Sequence, residues 1–591
     1  MSAPTEPAPP RVRGRAVWAV PGLLALVVTL AGIGHAQPWR DELATWSAAT
    51  RPLPDLVRLT RTIDAATGPY YLLMHGWTAL AGTSPTALRL PSALAMASAA
   101  ALTARLGARL AGDRAGLLAG LLFVVLPTTS RYGQEARPYA LATLLAVVAT
   151  LLLVEALRRP SRWRWTGYAL AVAALVLLHL IALTLLTAHA VAVLLTAVRG
   201  PAAAGLDPPA AGLTPPAAGL TPPASSRPDP PDATSPGRRH PQHSTHPGHR
   251  PRVERHGCHG APETPAAFHS PATSTASGTP WVSRHGTSGE PRAEPGHVAG
   301  GAQDGSGRRV PGGRMLARWL VALVPAVVLV TPLAVIARGQ RGRQLDWVDP
   351  ARLPDLASLP GGLAQSAVVG GFLLGLAALG VVRLGRRALL PGAAVLLPVL
   401  LLFAAGTVVP LWVTRYLVFT VPFACLLAGV ALARVRLGPA LVVVALAGLL
   451  GLPDQAALRR THEWPRTAPV DYAGAAGIIA AGQRPGDAVV YSPRDGWLFP
   501  DLGLAYHLGS GLPRDVLVVR DQRADASLWA VECGEPARCL AGVDRVWLVV
   551  TGRRTDPLAA VPGAKGEALR DGFTVRQVWP RPGLTVALLV R

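Results

Sequence analysis

The stretch AVWAVPGLLALVVTLAGIGHAQPWRDELATW, residues 16–46, begins as an apolar run and ends with two adjacent carboxylates, Asp41 and Glu42. The run from Val17 to Ile33 approaches the length of about 20 residues that crosses a bilayer. Basic residues precede it, no small-residue cleavage site follows, and further apolar runs come later, so it is predicted to be a retained first span. A carboxylate at a membrane edge is partly desolvated, which makes this pair a candidate functional group.

The composition extends this interpretation to the whole chain. Of the 591 residues, 50% are hydrophobic and only 15% are charged, more apolar surface than soluble packing can hide. The formal net charge of +23 comes mostly from arginines in short loops and in one low-complexity segment, without a basic-aromatic face. We therefore expect a polytopic α-helical membrane protein and no nucleic-acid partner.

Eleven apolar segments have a length suited to crossing a bilayer. They are 16–34, 87–107, 115–130, 136–157, 165–181, 182–199, 316–336, 361–382, 389–407, 411–432 and 438–453. A further stretch, GPYYLLMHGWTALAG (68–82), is short, and its sequence alone is compatible with a span, a re-entrant piece or an interfacial helix.

The distribution of arginine decides how the chain is oriented. If 68–82 does not cross, the arginine-rich connections all lie on one face, as the positive-inside tendency requires. These connections are RVRGR (11–15), 104–114, 158–164, the 199–315 linker, 383–387 and 434–436. The N-terminal tail, residues 1–15, is then cytoplasmic, and the first loop (35–86), the turn 130–139, the loop 338–356 and everything after about 453 lie outside.

The loop 338–356 departs from this charge rule. Arg338, Arg341 and Arg343 lie on the face where basic residues are disfavoured. An anionic ligand would explain them, and a plain exception to the rule would explain them equally well.

Residues 200–313 separate an N-terminal membrane module (16–199) from a second group of helices (316–453). They are rich in Pro, Gly, Ser, Thr and His and contain the repeat PPAAGLTPPAAGLTPP (208–223). With few apolar residues to bury, they are predicted to form a disordered cytoplasmic insert. Its high Arg, Ala, Gly and Pro content is typical of a GC-rich bacterial genome, so a bacterial plasma membrane is the expected setting.

Residues 463–591 have a different pattern, with short β-rich runs such as DAVVYS (487–492) and RVWLVV (545–550) between helical stretches. This pattern predicts a small extracytoplasmic α/β domain. The spacing of Cys533 and Cys539 allows a local disulfide in an oxidising compartment, and two free thiols in a reducing one are the alternative. No glycine-rich phosphate-binding motif occurs there.

The carboxylate pair itself has two interpretations. Asp41 could cap the N-terminus of a helix over ELATWSAA, because carboxylates stabilise that end. This alternative leaves Glu42 unexplained and makes Trp39 and Trp46 interface anchors only.

Two other polar groups are predicted to lie at the same depth on the same face. The first is QEARPY, with Glu135, Arg137 and Tyr139, and the second is Arg415 with Tyr416 in WVTRYLVFTVPF (412–423). An arginine that only anchors the topology is expected on the cytoplasmic face, whereas a guanidinium can hold a phosphate in two hydrogen bonds. The three groups together indicate a site for a membrane-borne anionic substrate.

These segments carry a resemblance to a known family. The order of a first span ending in RDE, then GPYYLLMHGW, then SPTALRLPSALAMASAAALTARLGARLAGDRAGLLAGLLFVVLPTTSRYGQEARPYAL, and later RYLVFTVP, resembles the GT-C superfamily of membrane glycosyltransferases. Within it, the chain is similar to the family 39 branch that includes protein O-mannosyltransferase-like and aminoarabinose-transferase-like enzymes. The resemblance covers 16–199 well and 316–453 loosely, and the insert and the terminal domain lie outside it.

The resemblance implies an inverting transfer of a sugar, mannose being the preferred guess, from a polyprenyl-phosphate carrier to an acceptor hydroxyl on a protein, glycan or lipid. Asp41 would take the proton of the attacking hydroxyl, with Glu42 positioning the acceptor or raising the proton affinity of Asp41. Arg137 and Arg415 would neutralise the departing phosphate. No cofactor is expected, with a divalent metal as the alternative, because other GT-C branches use a divalent ion and this one need not.

The resemblance also implies supporting residues. Glu135 would orient Arg137, and the cavity would be lined by Tyr70, Tyr71, His75, Tyr139 and Tyr416. Many family members have a histidine where this chain has Thr67, which puts the role of that histidine in doubt here.

Two functions from other classes fit the same pattern. A transporter or flippase for a lipid-linked sugar also needs a polar cavity, although internal repeats are not visible and the polar groups cluster at one end of the spans. The other is a non-catalytic scaffold whose outer domain binds cell-envelope polymers.

Overall fold

The computed structural model describes residues 14–200, 202, 204–206, 312–463 and 468–591. The predicted disordered insert, 200–313, and the N-terminal tail, 1–15, lie almost wholly outside the described residues. The chain divides into a unit formed by 1–210 with 298–591 and a second unit, 211–297. Most of the described chain is helical, and the strands are confined to the C-terminal domain. The predicted architecture of a polytopic helical protein with a small C-terminal α/β domain is confirmed.

The α-helices are numbered in chain order. They are α1 Ala16–Leu30, α2 Arg40–Ala49, α3 Leu53–Thr62, α4 Gly68–Ala81, α5 Pro85–Ala111, α6 Asp113–Val125, α7 Pro127–Gly133, α8 Tyr139–Arg158, α9 Arg162–Leu178, α10 Leu185–Arg199, α11 Gly312–Gln344, α12 Leu353–Ala364, α13 Ala367–Leu384, α14 Leu389–Val408, α15 Val421–Leu432, α16 Leu437–Arg460, α17 Tyr472–Gly482, α18 Pro500–Leu508, α19 Pro536–Cys539 and α20 Gly563–Gly572. Short 3₁₀ turns occupy Ala65–Thr67, Leu180–Thr184, Gly385–Ala388, Thr414–Thr420 and Gly509–Gly511.

Seven helical segments of the described chain are long and apolar enough to cross a membrane, or eight if the bent pair α6 and α7 forms one span. The prediction of eleven spans exceeds eight by three. Two predicted spans correspond to helices that are too short, and two others are merged into one stretch. The helices α1 and α9 have only 15 and 17 residues, and α13 with α14 forms a continuous 42-residue stretch. Each predicted span nevertheless coincides with helix in the structure.

The first loop between α1 and α5 is itself helical. Its short helix α4 has 14 residues, about 21 Å of helix, which is less than a bilayer core. Pro69 favours the start of α4, because proline suits the first turn of a helix. Ser84 caps the N-terminus of α5, where its hydroxyl accepts from the Ala87 N–H at 3.2 Å.

Small residues allow the membrane helices to approach closely. A Cβ atom on Gly116 of α6 would lie 2.2 Å from the Ala104 carbonyl oxygen of α5, and one on Gly429 of α15 would lie 2.6 Å from the Ala119 nitrogen of α6. Glycine at such positions lets backbones pack in direct contact. This packing fixes α5, α6 and α15 as the frame around which the polar groups are arranged.

The C-terminal domain contains a five-stranded sheet in the order β2-β1-β5-β7-β6. Its strands are β1 Ala488–Ser492, β2 Arg514–Asp515, β5 Arg545–Thr551, β6 Thr574–Arg581 and β7 Leu584–Val590, and a separate pair is formed by β3 Val518–Arg520 and β4 Val531–Glu532. β1 runs parallel to β2 and β5, whereas β7 is antiparallel to β5 and β6. Cys533 and Cys539 are joined by a disulfide.

The C-terminal domain is anchored to the first loop by buried hydrogen bonds. Arg51, which is only 1% exposed, donates to the carbonyl oxygens of Gln522 at 3.1 Å and Ser527 at 2.7 Å. The Tyr506 hydroxyl donates to the Thr83 carbonyl at 2.9 Å. A buried guanidinium must have such partners, so these contacts hold the domain in a defined position over the first loop.

Candidate active site

A cavity of about 550 Å³ lies where the first loop, the membrane helices and the C-terminal domain meet. Its charged side chains are Arg40, Asp41, Asp64, Arg137, Arg338, Arg341 and Arg415, and its aromatic side chains are Tyr139, His179, Trp347, Tyr416, Trp497 and Phe499. Five arginines against two aspartates give the lining a positive balance. Such a cavity suits a ligand that is anionic at one end and partly apolar elsewhere.

Asp41 stands among the guanidinium groups of this cavity. It lies in the first turn of α2, and its Oδ2 atom is 3.9 Å from Arg137 Nε and 3.8 Å from Arg415 Nη2. Its Oδ1 atom is 4.0 Å from Arg40 Nε. These separations exceed the 2.7–2.9 Å of a direct charge-assisted hydrogen bond, and Oδ2 has no hydrogen-bond partner among the described residues. The Oδ2 atom is therefore attracted by the two guanidinium groups without a hydrogen bond to either of them.

The charges around Asp41 determine its protonation. Burial by itself raises the pKa of this carboxyl, but the positive charges of Arg415, Arg137, Arg40 and Arg131 outweigh burial and hold its pKa below the ordinary value. Asp41 is consequently ionised at neutral pH. An ionised carboxylate facing a cavity can accept a proton or pair with a cationic group of a ligand.

The two arginines reach Asp41 from distant parts of the chain. Arg137 precedes α8 by two residues, and Arg415 lies in the 3₁₀ turn Thr414–Thr420 that leads into α15. Arg415 lies over the ring of Trp347, 5.2 Å from its centroid. Tyr139 and Tyr416 line the cavity beside them, with ring centroids 6.5 Å apart. The structure thus brings together Asp41, Arg137, Tyr139, Arg415 and Tyr416 as the sequence predicts.

Glu42 does not line the cavity, in contrast to the prediction that it acts next to Asp41. It is 1% exposed and accepts from Arg89 Nε at 2.8 Å and Arg89 Nη2 at 2.7 Å. It also accepts from the backbone N–H groups of Ala136 at 2.9 Å and Trp39 at 3.3 Å. Both oxygens are used, so Glu42 joins α2, α5 and the segment before α8 and is not available to an acceptor.

Glu135 also departs from its predicted role. Its side chain pairs with Arg131, at 3.5 Å between Oε1 and Nη2, whereas the Arg137 backbone N–H donates to the backbone carbonyl of Glu135 at 2.9 Å. Burial raises the pKa of Glu135 to about 7 despite the nearby Arg131 charge. Glu135 therefore does not orient the Arg137 guanidinium.

Tyr70, Tyr71 and His75 lie on α4 outside the cavity wall, which corrects the prediction that they line it. Tyr70 is fully buried. Tyr71 donates its hydroxyl to Asp64, and His75 Nδ1 lies 2.9 Å from the Ala49 carbonyl oxygen. Because Thr67 and not the tyrosines reaches the cavity, α4 supports the site from behind.

Asp64 is a cavity residue that the sequence prediction omits. It has a positive φ of 60° and accepts hydrogen bonds from Tyr71, from the Thr67 hydroxyl at 2.8 Å and from Gln344 Nε2 at 2.9 Å. The sequence gives only a weak sign of it, because a single aspartate in a loop is common. Its backbone conformation and its partners distinguish it from an ordinary loop residue.

The last turns of α11 contain Arg338, Arg341 and Arg343, the arginines that depart from the charge rule. The helix extends to Gln344 and so includes part of the predicted loop 338–356. Arg338 and Arg341 line the cavity, and within the described ranges neither has an ion-pair partner. Arg343 instead lies over the Trp529 ring, 4.2 Å from its centroid. Two of the three therefore contribute positive charge to the cavity lining.

The residues that could ligate a metal are dispersed. No group of three or more His, Cys, Asp or Glu side chains suited to holding a metal ion occurs within residues 14–200, 312–463 and 468–591.

Comparison with known proteins identifies the architecture. Residues 68–203 match the family described as dolichyl-phosphate-mannose-protein mannosyltransferase. Among solved structures, ArnT from Cupriavidus metallidurans in the apo state superposes with a TM-score of 0.51 at 11% identity, and 97% of each chain is covered. The chain has the GT-C fold. A second ArnT structure from the same organism, bound to undecaprenyl phosphate, gives a TM-score of 0.49 at 12% identity over 97% of this chain and 98% of that one. No curated protein sequence matches the chain significantly.

The superposition on the ArnT structure covers 97% of this chain, whereas the family match covers residues 68–203. The family match begins at α4 and includes α5 to α10. It therefore contains Arg137 and Tyr139 but neither Asp41 nor Arg415.

Proposed function

We propose that the protein transfers a sugar from a polyprenyl-phosphate-linked donor to an acceptor hydroxyl at the extracytoplasmic face of a bacterial plasma membrane. The observation that carries the proposal is the position of Asp41, 3.9 Å from Arg137 and 3.8 Å from Arg415 in a cavity at the ends of the membrane helices. A proton acceptor beside two phosphate-binding groups is what such a transfer requires.

The donor phosphate would bind between Arg137 and Arg415. A planar guanidinium offers parallel N–H groups that match the oxygens of a phosphate. Both arginines are only loosely paired with Asp41, so a phosphate can enter at a small cost in lost ion pairing. Arg338 and Arg341 would add positive charge along its path into the cavity.

Donor binding would change the basicity of Asp41. The positive charges around Asp41 depress the pKa of this carboxyl. Once the phosphate engages Arg137 and Arg415, its own negative charge offsets theirs, and the proton affinity of Asp41 rises. Asp41 would therefore become an effective base only when the donor is present.

The reaction would be a single displacement with inversion. The acceptor oxygen forms a bond to the anomeric carbon as the bond from that carbon to the phosphate oxygen breaks. Asp41 takes the acceptor proton, and the polyprenyl phosphate leaves with the bonding electrons and is stabilised by the two arginines. Charge grows on the leaving phosphate in the transition state, which is where fixed positive groups act most strongly.

The buried residues around the cavity would act by positioning. Glu42 with Arg89 would hold the start of α2 so that Asp41 faces the arginines. Tyr71 and Gln344 would hold Asp64. Tyr139 and Tyr416 would contact the donor, since both line the cavity next to Arg415.

The match of residues 68–203 to a mannosyltransferase family supports mannose as the sugar. The acceptor is a hydroxyl on a protein, glycan or lipid. Donors of the same carrier but with glucose, galactose or an aminopentose are the natural competitors in an assay.

The test is to supply the purified full-length protein with a panel of synthetic polyprenyl-phosphate sugars and with membrane-derived acceptors. Transfer with release of the bare polyprenyl phosphate is the expected result, and it should depend on Asp41. Movement of an intact lipid-linked sugar across proteoliposomes without release of the carrier would instead favour a transporter. Binding of envelope polymers without either event would favour a scaffold.

A second test concerns the side of the membrane on which the site lies. Single cysteines placed at Asp41 and at Arg415 should both react with an impermeant thiol reagent from the extracytoplasmic side of intact cells. A cysteine at Arg386, in the predicted cytoplasmic loop 383–387, is the matched control and should react only after permeabilisation. Labelling of positions 41 and 415 from opposite sides would contradict the proposal.

A further inference from the structure

The C-terminal domain contributes one wall of the cavity. Trp497, Phe499 and Leu528 line it together with Asp41 and the arginines of the membrane part. Trp497 and Phe499 follow strand β1, and Leu528 precedes β4. The domain is therefore part of the site and not a separate module attached to it.

The ring of Trp497 is held by two other aromatic rings. Its centroid lies 4.8 Å from that of Trp529 with an interplanar angle of 78°, and 6.0 Å from that of Phe499 with an angle of 84°. Trp529 is itself fixed, because its Nε1 donates to the Gly496 carbonyl at 3.0 Å and Arg343 covers its ring. Both contacts are edge-to-face, so the orientation of the Trp497 ring is set before any ligand arrives.

The backbone beside Trp497 has an uncommon conformation. Phe499 has a positive φ of 49°, a region that bulky residues rarely adopt. Asp64, on the first-loop side of the same cavity, has a φ of 60°. Strained residues persist where the surrounding structure holds them, and they cluster at ligand sites. Here Phe499 lies in the wall formed by Trp497, Phe499 and Leu528, which we call the aromatic wall, and Asp64 lies among the polar groups of the cavity.

The aromatic wall is fixed relative to the membrane part. Arg51 donates to the carbonyl oxygens of Gln522 and Ser527, on either side of the turn that leads to Leu528. In the cavity lining, Gln344 of α11 donates to Asp64 at 2.9 Å. These hydrogen bonds connect the first loop both to the segment that carries Leu528 and to α11, and such connections favour preorganised recognition of a ligand.

We propose that Trp497, supported by Phe499, is a stacking surface for a pyranose ring of the acceptor, which would make the acceptor a glycan. The apolar C–H face of a sugar ring packs on an aromatic ring, and its hydroxyls need polar partners, which Asp64, Gln344 and Arg341 can supply. This inference rests on the proposed transferase function. The donor enters from the membrane and its phosphate requires Arg137 and Arg415, so the wall formed by the C-terminal domain is left to the acceptor.

The experiment measures glycan binding without turnover, so that it is independent of catalysis. The full-length Asp41→Asn protein in detergent is titrated calorimetrically with trisaccharides of mannose, glucose and galactose. On this background, Trp497→Leu keeps apolar bulk but removes the ring, and Trp497→Phe keeps a ring. We expect Trp497→Leu to weaken binding about tenfold or more, because tryptophans buried in a binding site often contribute a large share of the binding free energy. Trp497→Phe should retain most of the affinity, because it keeps an aromatic ring.

Trp579→Leu is the control, because Trp579 stacks on Trp547 in the same domain and does not line the cavity. Unchanged binding by Trp497→Leu would overturn the proposal, as would the absence of saturable binding for every trisaccharide. A parallel titration with polyprenyl-phosphate mannose separates the two sources of a sugar ring. If Trp497→Leu weakens donor binding as much as trisaccharide binding, the acceptor assignment is wrong. Failure of the transferase assay alone leaves this measurement unaffected.

Discussion

Arg89 and Glu42 form a buried ion pair with two parallel hydrogen bonds of 2.8 and 2.7 Å, and both side chains are at most 1% exposed. Arg89 also donates to the carbonyl oxygens of Ile33 and Ala36, each at 2.8 Å. The pair therefore connects the end of the first span to α2 and α5. It fixes the residue next to Asp41, so the two members of the acidic pair are divided: Glu42 is held in the helix packing, and Asp41 faces the cavity.

This division predicts that Glu42→Gln lowers the stability of the protein. Removing one charge of a buried pair leaves the other uncompensated, which costs about 3–5 kcal/mol. Thermal unfolding in detergent measures the loss as a lower midpoint. Glu155→Gln is the control, because Glu155 pairs with the exposed Arg109 and should change the midpoint little. Equal midpoints for the two variants would show that Glu42 is not a structural anchor.

Asp41→Asn should abolish transfer while leaving donor binding intact. The amide cannot accept the acceptor proton, and general-base assistance contributes about 10²–10⁴ to a rate. Release of the carrier lipid is the measurement, with donor affinity determined separately. The matched variant Asp55→Asn removes a carboxylate of the same loop that pairs with Arg58 outside the cavity, and it should retain full activity. Comparable rates in the two variants would argue against Asp41 as the base.

Arg137→Lys and Arg415→Lys test the phosphate site without removing its charge. A lysine is a single point charge and cannot reproduce the planar two-point contact of a guanidinium. Each substitution should lower kcat/KM for the donor by about tenfold to a hundredfold, the equivalent of roughly 1.4–2.8 kcal/mol. Arg58→Lys, at an exposed position on α3, should be silent. If the donor kinetics of all three variants are alike, the phosphate binds elsewhere.

The stability of the protein should depend on Glu135 and on pH. Burial raises the pKa of Glu135 from an ordinary 4.5 to about 7, so the folded state holds this proton more tightly than the unfolded state. Glu135 therefore costs stability as pH rises from about 4.5 to about 7, and the full cost is present above 7. Glu135→Gln should raise the unfolding midpoint at pH 8 by a few degrees and leave it nearly unchanged at pH 4.5. A constant difference at both values would exclude this titration as the cause.

The unit 211–297 should be dispensable for the fold and for transfer. Gly312, the first residue of α11, packs against α10 so closely that a Cβ atom would lie 2.1 Å from the Ala197 carbonyl oxygen. The helices on either side of the insert are therefore already in contact. Replacing 211–297 by a short flexible linker should preserve the unfolding midpoint and the rate of carrier release. A large loss of either would show that the insert contributes to the site or its assembly.

The sequence predicts the helical architecture because each apolar run must be buried in lipid or in the helix bundle. The number of spans is less predictable, because α1 and α9 are short and α13 is continuous with α14. Asp41, Arg137 and Arg415 could be identified as a group because charged residues at the edge of an apolar run are costly unless they are used.

The partners of these charged residues were not predictable from local sequence. Whether Glu42 or Asp41 faces the cavity depends on Arg89, a residue far along the chain that lies within a predicted span. A charged residue in that position is itself a sign of a buried partner, and that sign could have identified the pair. Asp64 and Trp497 carry no comparable sign, since their importance comes from the packing of the C-terminal domain on the first loop.

The origin of the aromatic wall has a consequence for biosynthesis. Trp497, Phe499 and Leu528 are translated after every helix of the membrane part, so the cavity has an open side until the ribosome has nearly finished the chain. A nascent protein already inserted in the bilayer would hold its arginines and Asp41 in place but could not yet enclose a second substrate. Synthesis order alone would then delay the proposed transfer until the C-terminal domain has folded against the membrane part.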